Sequence, residues 1–191
     1  MIEPGQTSLG ILAGGRASRL GGIDKAFAEF QGETLLARTL RNLPEPFAAR
    51  LLSYNRSPGF ALPGIVVVPD LRPGQPGPLA ALEALFQACR THWLLTAPVD
   101  IRHWPPELVA RLLDHAVEAV DGCAIADADG LQPLVGIWKV RALQASVASA
   151  LDAGERAVHR WFAAQALPVL DIAPFRLGNL NTAGDFADAT R

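Results

Sequence analysis

A chain of 191 residues that is 50% apolar and 19% charged, with a formal net charge of −2, has material for one sizeable core and is not a disordered chain. The near-neutral balance supplies no general attraction for nucleic acid, and no apolar run approaches the length of a membrane span, so neither is expected as a partner. Met1 to Gln6 lacks the basic start and apolar core of a signal peptide, and Cys89 and Cys123 stand far apart among apolar neighbours, as buried free thiols do; the expected setting is the cytoplasm.

Leu9, Ile11 and Leu12 read as a short buried strand. The run Leu12-Ala13-Gly14-Gly15-Arg16-Ala17-Ser18-Arg19-Leu20-Gly21-Gly22-Ile23-Asp24-Lys25 follows, with no helical or strand periodicity. Glycines let a backbone approach a ligand closely, and free amides beside Arg16, Arg19 and Lys25 suit a polyphosphate. A loop this long inside a compact domain is uncommon unless it is functional. It is neither a P-loop nor a dinucleotide fingerprint: Lys25 follows Asp24 and precedes Ala26, and no G-x-G-x-x-G occurs there.

Next, Thr34 caps a helix through Leu35, Leu36, Leu40 and Leu43, stopped by Pro44 and Pro46. Arg50 to Tyr54 is a second strand. Ile65-Val66-Val67-Val68 is the clearest strand, β-branched and continuous, and is expected at the centre of the sheet with both faces covered. A turn-rich loop from Arg72 to Pro78 leads into a helix from Leu79 to Phe86. Trp93 to Thr96 is another strand, followed at once by Ala97-Pro98-Val99-Asp100. Glu107 to Val120 is an amphipathic helix entered through Pro105 and Pro106. Cys123 to Ala126 and Leu134 to Trp138 form two antiparallel strands about the turn Asp127-Ala128-Asp129-Gly130. Ala142–Ala150 and Ala157–Ala164 are helical in composition, separated by a turn at Ala153-Gly154-Glu155-Arg156, and a last short helix starts at Ala183. The alternation predicts an α/β fold, residues 1–191 forming a single domain around a mostly parallel sheet with a small antiparallel part.

In such sheets ligands bind beyond the carboxyl ends of the strands. The loop at 13–25, Ser53 to Asn55, Asp70 and Asp100 all fall after a predicted strand, so four strand ends deliver glycine, cation, amide and carboxylate to one edge. Asp100 is a hard oxygen ligand suited to Mg²⁺, which takes one or two carboxylates plus substrate phosphates; spacing alone also allows a helix-initiating Asp. His103 offers no ligand spacing with His92, His115 or His159. Asp70 reads from the sequence as a turn residue after Pro69, where its carboxylate also offers hydrogen-bond acceptors to a ligand. Trp161, on a helix, is a core residue before it is a cofactor platform.

The glycine loop resembles the signature of the molybdenum cofactor guanylyltransferase (MobA-type) family of nucleotidyltransferases: LAGG, then R-M-G, then D-K, here LAGGRASRLGGIDK with Leu20 in place of Met. Further likenesses follow in order. Gly77-Pro78-Leu79-Ala80-Ala81 stands for G-P-L-A-G, Asp100 for the metal-binding Asp of a D-M-P-type segment, Gly154-Glu155-Arg156 for a turn on the pterin side, and Asn179-Leu180-Asn181-Thr182 for N-x-N-T. The chain departs from the family at Val99 and Ile101 around Asp100, at Ser53 where relatives carry Asn, and at Gln132-Pro133 where they often carry His-Pro. Asn55, two positions beyond Ser53, points the same way along a strand.

The resemblance implies a three-layer Rossmann-like fold, its N-terminal part nucleotide-binding and its C-terminal part molybdopterin-binding. It implies transfer of GMP from GTP to molybdenum-molybdopterin by a monomer that makes transient contacts with other molybdenum cofactor proteins. By the same resemblance Leu12, Ala13, Gly14, Gly15, Lys25, Ser53, Asp70 and Asp100 hold the nucleotide. Arg19, Lys25 and Asp100 are catalytic, with Mg²⁺ (or Mn²⁺) on Asp100. Asn179, Asn181 and Arg156 close the acceptor side, where Arg160 and Trp161 are further candidates. Related enzymes that use CTP on the same pterin, or that activate a sugar phosphate, share the opening motif; a non-catalytic carrier would not need the complete set of Arg19, Lys25 and Asp100.

Overall fold

The computed structural model describes residues 2–13, 24–56, 62–74, 77–180 and 185–186. Gly14, Gly15, Arg16, Arg19 and Asn181, and the start of the expected last helix, lie outside the described residues. The first strand, β1 (Thr7–Leu12), is buried along its whole length. A hairpin of two short strands, β2 (Glu29–Phe30) and β3 (Glu33–Thr34), turns through Gln31 and Gly32 and runs into α1 (Leu35–Asn42). Thr34 caps that helix as expected, its hydroxyl oxygen accepting from the Ala37 amide at 3.2 Å. Then come β4 (Ala49–Ser53), β5 (Ile65–Val68), α2 (Pro78–Ala88), β6 (Trp93–Pro98) and α3 (Leu108–Glu118). The chain continues through β7 (Gly122–Asp127), β8 (Gly130–Lys139), α4 (Val140–Asp152), α5 (Val158–Gln165) and β9 (Val169–Asp171).

Seven strands make one sheet in the order β5-β4-β1-β6-β8-β7-β9. β5, β4, β1 and β6 run parallel, β8 is antiparallel to both β6 and β7, and β9 is parallel to β7. Helices cover both faces. One core gathers Leu9, Ile11, Leu95 and Ile137 of the sheet under Leu35 of α1 and Leu112 of α3. The other packs Leu51, Leu94 and Trp138 under Leu82 and Leu85 of α2, Val147 of α4 and Trp161 of α5. This is the expected three-layer α/β architecture, with the parallel strands bringing four carboxyl ends to one edge.

One strand stands elsewhere than expected. Ile65 to Val68 form the edge of the sheet rather than its centre, and Val66 is 56% exposed. A β-branched run expresses strand propensity, which an edge satisfies as well as a centre; position follows from topology, and the centre belongs to β6 with β1 beside it. The β2–β3 hairpin and β9 were too short, at two and three residues, to leave a periodic signal.

The tightest packing in the sheet lies between β7 and β8. A Cβ on Gly136 would stand 2.5 Å from the Cys123 carbonyl oxygen and 2.5 Å from the Trp138 ring. The Trp138 indole is itself held by donating to the Thr96 hydroxyl at 2.7 Å. Gly136→Ala is therefore expected to destabilise the protein by about 1–3 kcal/mol through overpacking, read as a lowered urea midpoint with an unchanged slope.

Candidate active site

The site begins where β1 and β6 end side by side. Their pairing continues one step past β6, the Val99 amide donating to the Leu12 carbonyl at 3.1 Å, and so delivers Asp100 to the carboxyl edge. On its other side the backbone at 100–103 meets a returning segment. The Leu180 amide donates to the Asp100 carbonyl, Ile101 pairs with Asn179, and the Arg102 and His103 amides donate to the carbonyls of Gly178 and Leu177. Asp127, 5% exposed, anchors that segment by accepting from the Leu177 amide at 2.9 Å.

Lys25 starts a three-residue 3-10 turn, Lys25–Phe27, and its ammonium donates to Asp100 Oδ2 at 2.5 Å. Both side chains are about four-fifths buried, at 19% and 18% exposed. A charge so placed depends on its partner, because removing one member leaves the other desolvated and uncompensated.

Two cavities adjoin at this pair. The smaller, about 90 Å³, is bounded by Leu12, Lys25, Ala81 and Val99. The larger, about 430 Å³, is walled by Gln132, Pro133, Arg156, His159 and Asn179. Pro78, Pro98, Asp100 and Leu134 belong to both. Pro78 stands at the start of α2 behind Gly77, whose φ of +101° only a residue without a Cβ adopts readily. The wall at Gln132–Leu134 comes from an irregularity in β8. Pairing with β7 passes from Ala124–Gly136 to Ile125–Gln132, leaving 133–135 unpaired. Proline cannot donate to a ladder, so a bulge at Pro133 is the local consequence.

The other expected residues fall on this edge without entering either cavity. Ser53 pairs in register with Leu12, its carbonyl accepts from the Ala13 amide at 3.3 Å, and its fully buried hydroxyl has no hydrogen-bond partner among the described residues. The Asn55 amide is committed to Asp70, donating to Oδ2 at 2.9 Å while accepting from the Asp70 backbone at 2.7 Å. Asp70 Oδ1 is buried without a partner among the described residues, and burial pushes the Asp70 carboxyl above its ordinary range, the Asn55 hydrogen bond pulling the other way.

Sequence reasoning missed Tyr54, whose hydroxyl donates to Asp24 Oδ2 at 2.6 Å, and His159, which enters the large cavity in place of Arg160 and Trp161. No motif marks either; His159, in the first turn of α5, lines the cavity with Arg156 and Val158 just before it. Trp161 is a core residue, 1% exposed and edge-on to Trp138. Arg160 points to Glu155 at 3.5 Å.

Among the described residues no group of three or more His, Cys, Asp or Glu could hold a metal. His103 lines neither cavity, and partial desolvation, then Arg102 and Arg38, hold its imidazole below the usual range. The donor set is thus one carboxylate with an open phosphate-sized cavity beside it. That fits a hard divalent cation that completes its shell with substrate phosphates and water, and does not fit a structural zinc site.

A mostly parallel α/β sheet with a lysine–carboxylate pair at its carboxyl edge, opening on two adjoining cavities, suits phosphate-transfer chemistry of the nucleotidyltransferase kind. Residues 9–168 match the MobA-like NTP transferase domain, and the chain belongs to that family of enzymes. The molybdenum cofactor guanylyltransferase of Cupriavidus metallidurans is 38% identical over 183 residues, spanning 90% of this chain and 88% of the relative. The crystal structure of molybdopterin-guanine dinucleotide biosynthesis protein A from Archaeoglobus fulgidus shares the fold with a TM-score of 0.74 at 19% identity, over 95% of this chain and 96% of the other. A Mycobacterium tuberculosis protein crystallised in complex with manganese shares it with a TM-score of 0.69 at 20% identity, over 96% and 97%.

The Asp70 environment gives a pH test. A carboxyl whose folded pKa lies above its unfolded value keeps its proton longer in the native state, so stability falls as pH rises from the ordinary carboxylate range through the folded value. Asp70→Asn keeps an acceptor for Asn55 and removes the charge. Its unfolding free energy relative to wild type is expected to improve as pH is raised from 4 to 7 in urea titrations. A pH-independent difference would contradict the assignment.

Proposed function

We propose that this enzyme transfers GMP from GTP to the terminal phosphate of molybdenum-carrying molybdopterin, forming molybdopterin guanine dinucleotide and releasing pyrophosphate. The observation that carries the reading is the Lys25–Asp100 pair at the junction of two cavities of unequal size. About 90 Å³ takes a phosphate group, not a whole nucleotide. About 430 Å³ falls within the usual range for a small-molecule site, roughly 300–1,000 Å³, and suits the pterin. The guanylyltransferase named among the relatives supplies the base and the acceptor.

In this reading the N-terminal part binds the nucleotide. Beside Leu12 and Ala13, whose backbone is held by the neighbouring strands, amides of Gly14 and Gly15 hold base and phosphates, Arg19 meets the β- and γ-phosphates, and Ser53 and Asp70 face the nucleoside. Arg156, Asn179 and Asn181 receive the acceptor in the C-terminal part. The attacking phosphate oxygen forms a bond to the α-phosphorus of GTP as the bond from that phosphorus to the β-phosphate oxygen breaks. The acceptor is already ionised at neutral pH, so no proton has to be removed and positioning with charge neutralisation carries the reaction. Lysine has three donors, so Lys25 keeps Asp100 while donating to the α-phosphate and to the leaving oxygen. Asp100 would hold the Mg²⁺ or Mn²⁺ ion, which supplies charge neutralisation between the two phosphates. The enzyme acts as a cytoplasmic monomer and passes its product on through transient contacts.

Lys25→Ala and Asp100→Ala are each expected to lower turnover on the order of a hundredfold or more, the usual cost of removing a charge aimed at the transition state. Circular dichroism checks that the fold is kept, and pyrophosphate release reads the rate. An Asp100→Ala enzyme with normal divalent-dependent activity would overturn the metal assignment. Competition among GTP, CTP and UTP in the presence of loaded pterin is expected to favour GTP; a preference for CTP would overturn the base.

A further inference from the structure

Lys25 reaches its ion pair from a turn too short to hold itself. The 3-10 turn has three residues and two closing bonds, from the Phe27 amide to the Asp24 carbonyl at 3.0 Å and from the Ala28 amide to the Lys25 carbonyl at 3.3 Å. Such turns persist through tertiary contacts rather than propensity. The lysine stem above it is flexible, so the place where that stem is rooted decides where the ammonium can go.

Tyr54 grips the chain on both sides of Lys25, at Asp24 just before it and at Phe27 two positions after it. It follows β4 directly, and its backbone is fixed by the amide donating to the Val68 carbonyl at 3.0 Å. Its side chain is buried, with 6% exposed. The hydroxyl donates to Asp24 Oδ2 at 2.6 Å, a charge-assisted bond of the strong kind. The ring meets Phe27 edge-on, with centroids 5.6 Å apart and planes at 90°. Asp24 has a second cation, Arg56, at 3.8 Å, but that side chain is 64% exposed, and a long surface pair holds geometry poorly. Burial and the adjacent Asp24 carboxylate push the phenol up to about 12, so it remains a donor at any pH at which an enzyme of this kind works.

We propose that Tyr54 is a positioning residue for Lys25, its hydroxyl and ring holding the two ends of the turn from which that lysine reaches Asp100 and the nucleotide. The inference rests on Lys25 acting at the α-phosphate. Tyr54 itself touches no reacting atom. Its hydroxyl fixes Asp24, its ring fixes Phe27, and the lysine between them is aimed without being contacted.

Tyr54→Phe separates the two grips, since it keeps the ring and removes the hydroxyl. With GTP and loaded pterin it is expected to lower kcat about tenfold, a modest share of the cost of misplacing a group by about an ångström, while KM for GTP stays within about twofold. In a Lys25→Ala background the same substitution is expected to cost nothing further. Wild-type kcat in Tyr54→Phe, or a loss that adds in full to that of Lys25→Ala, overturns the proposal.

A second readout needs no turnover. The chain has two lysines, Lys25 and Lys139, and Lys139 lies in β8, donating to the Val120 carbonyl. Under limiting acetic anhydride, followed by mass spectrometry, Tyr54→Phe is expected to raise the labelling of Lys25 relative to Lys139 at least threefold. An unchanged ratio overturns the proposal. If wild type releases no pyrophosphate but the labelling ratio still responds, the proposed reaction fails and the positioning role stands.

Discussion

Lys25 and Asp100 stand 75 residues apart in the chain and meet at 2.5 Å. They meet because β1 and β6 are neighbours at the centre of the sheet and their ladder runs on for one bond after β6 has ended. Each charge is mostly withdrawn from water, so each depends on the other more than a surface pair would. Their shared position also decides what lies on either side. Leu12 and Ala81 close a small cavity around the lysine, and the bulged wall of β8 opens a larger one beyond the carboxylate. One cation and one carboxylate thus stand between two compartments, which is the arrangement the proposed reaction uses.

The larger cavity owes its shape to elements that a purely parallel sheet would lack. β8 runs against both neighbours, and the unpaired stretch at 133–135 turns Gln132 and Leu134 into the cavity wall. The segment at 177–180 then returns along 100–103 and brings Asn179 to the same rim. A single buried carboxylate links the two, because Asp127 accepts from the Leu177 amide through one oxygen and from Gln132 through the other, at 2.9 and 3.2 Å. The wall and the closing segment are therefore set by one turn between β7 and β8.

The residues legible in the sequence were those whose chemistry is local. A lysine soon after a buried strand, a carboxylate two residues past Pro98, and a threonine ahead of a leucine-rich helix carry their meaning within a few positions. The placement of β5 did not, because four β-branched residues look the same at an edge as at a centre. Asn55 shares the direction of Ser53 along the strand, yet its amide is committed to Asp70, a partner fifteen residues on. Tyr54 and His159 were silent for the same reason. The role of Tyr54 exists only once β4 has been laid beside the turn at Asp24, and His159 reaches the cavity only once α5 stands against β8. The bulge at Pro133 was legible in principle, since a proline inside a strand forecasts a break in the ladder.

The central claim is that the Lys25–Asp100 pair marks the place where the α-phosphate is presented. A crystal structure with Mg²⁺ and a GTP analogue that cannot be cleaved between the α- and β-phosphates tests it most directly. The account predicts the α-phosphate within hydrogen-bond reach of the Lys25 ammonium, the cation on Asp100, and the 430 Å³ cavity left open for the acceptor. A triphosphate bound away from Lys25, or a cation that does not touch Asp100, would contradict it.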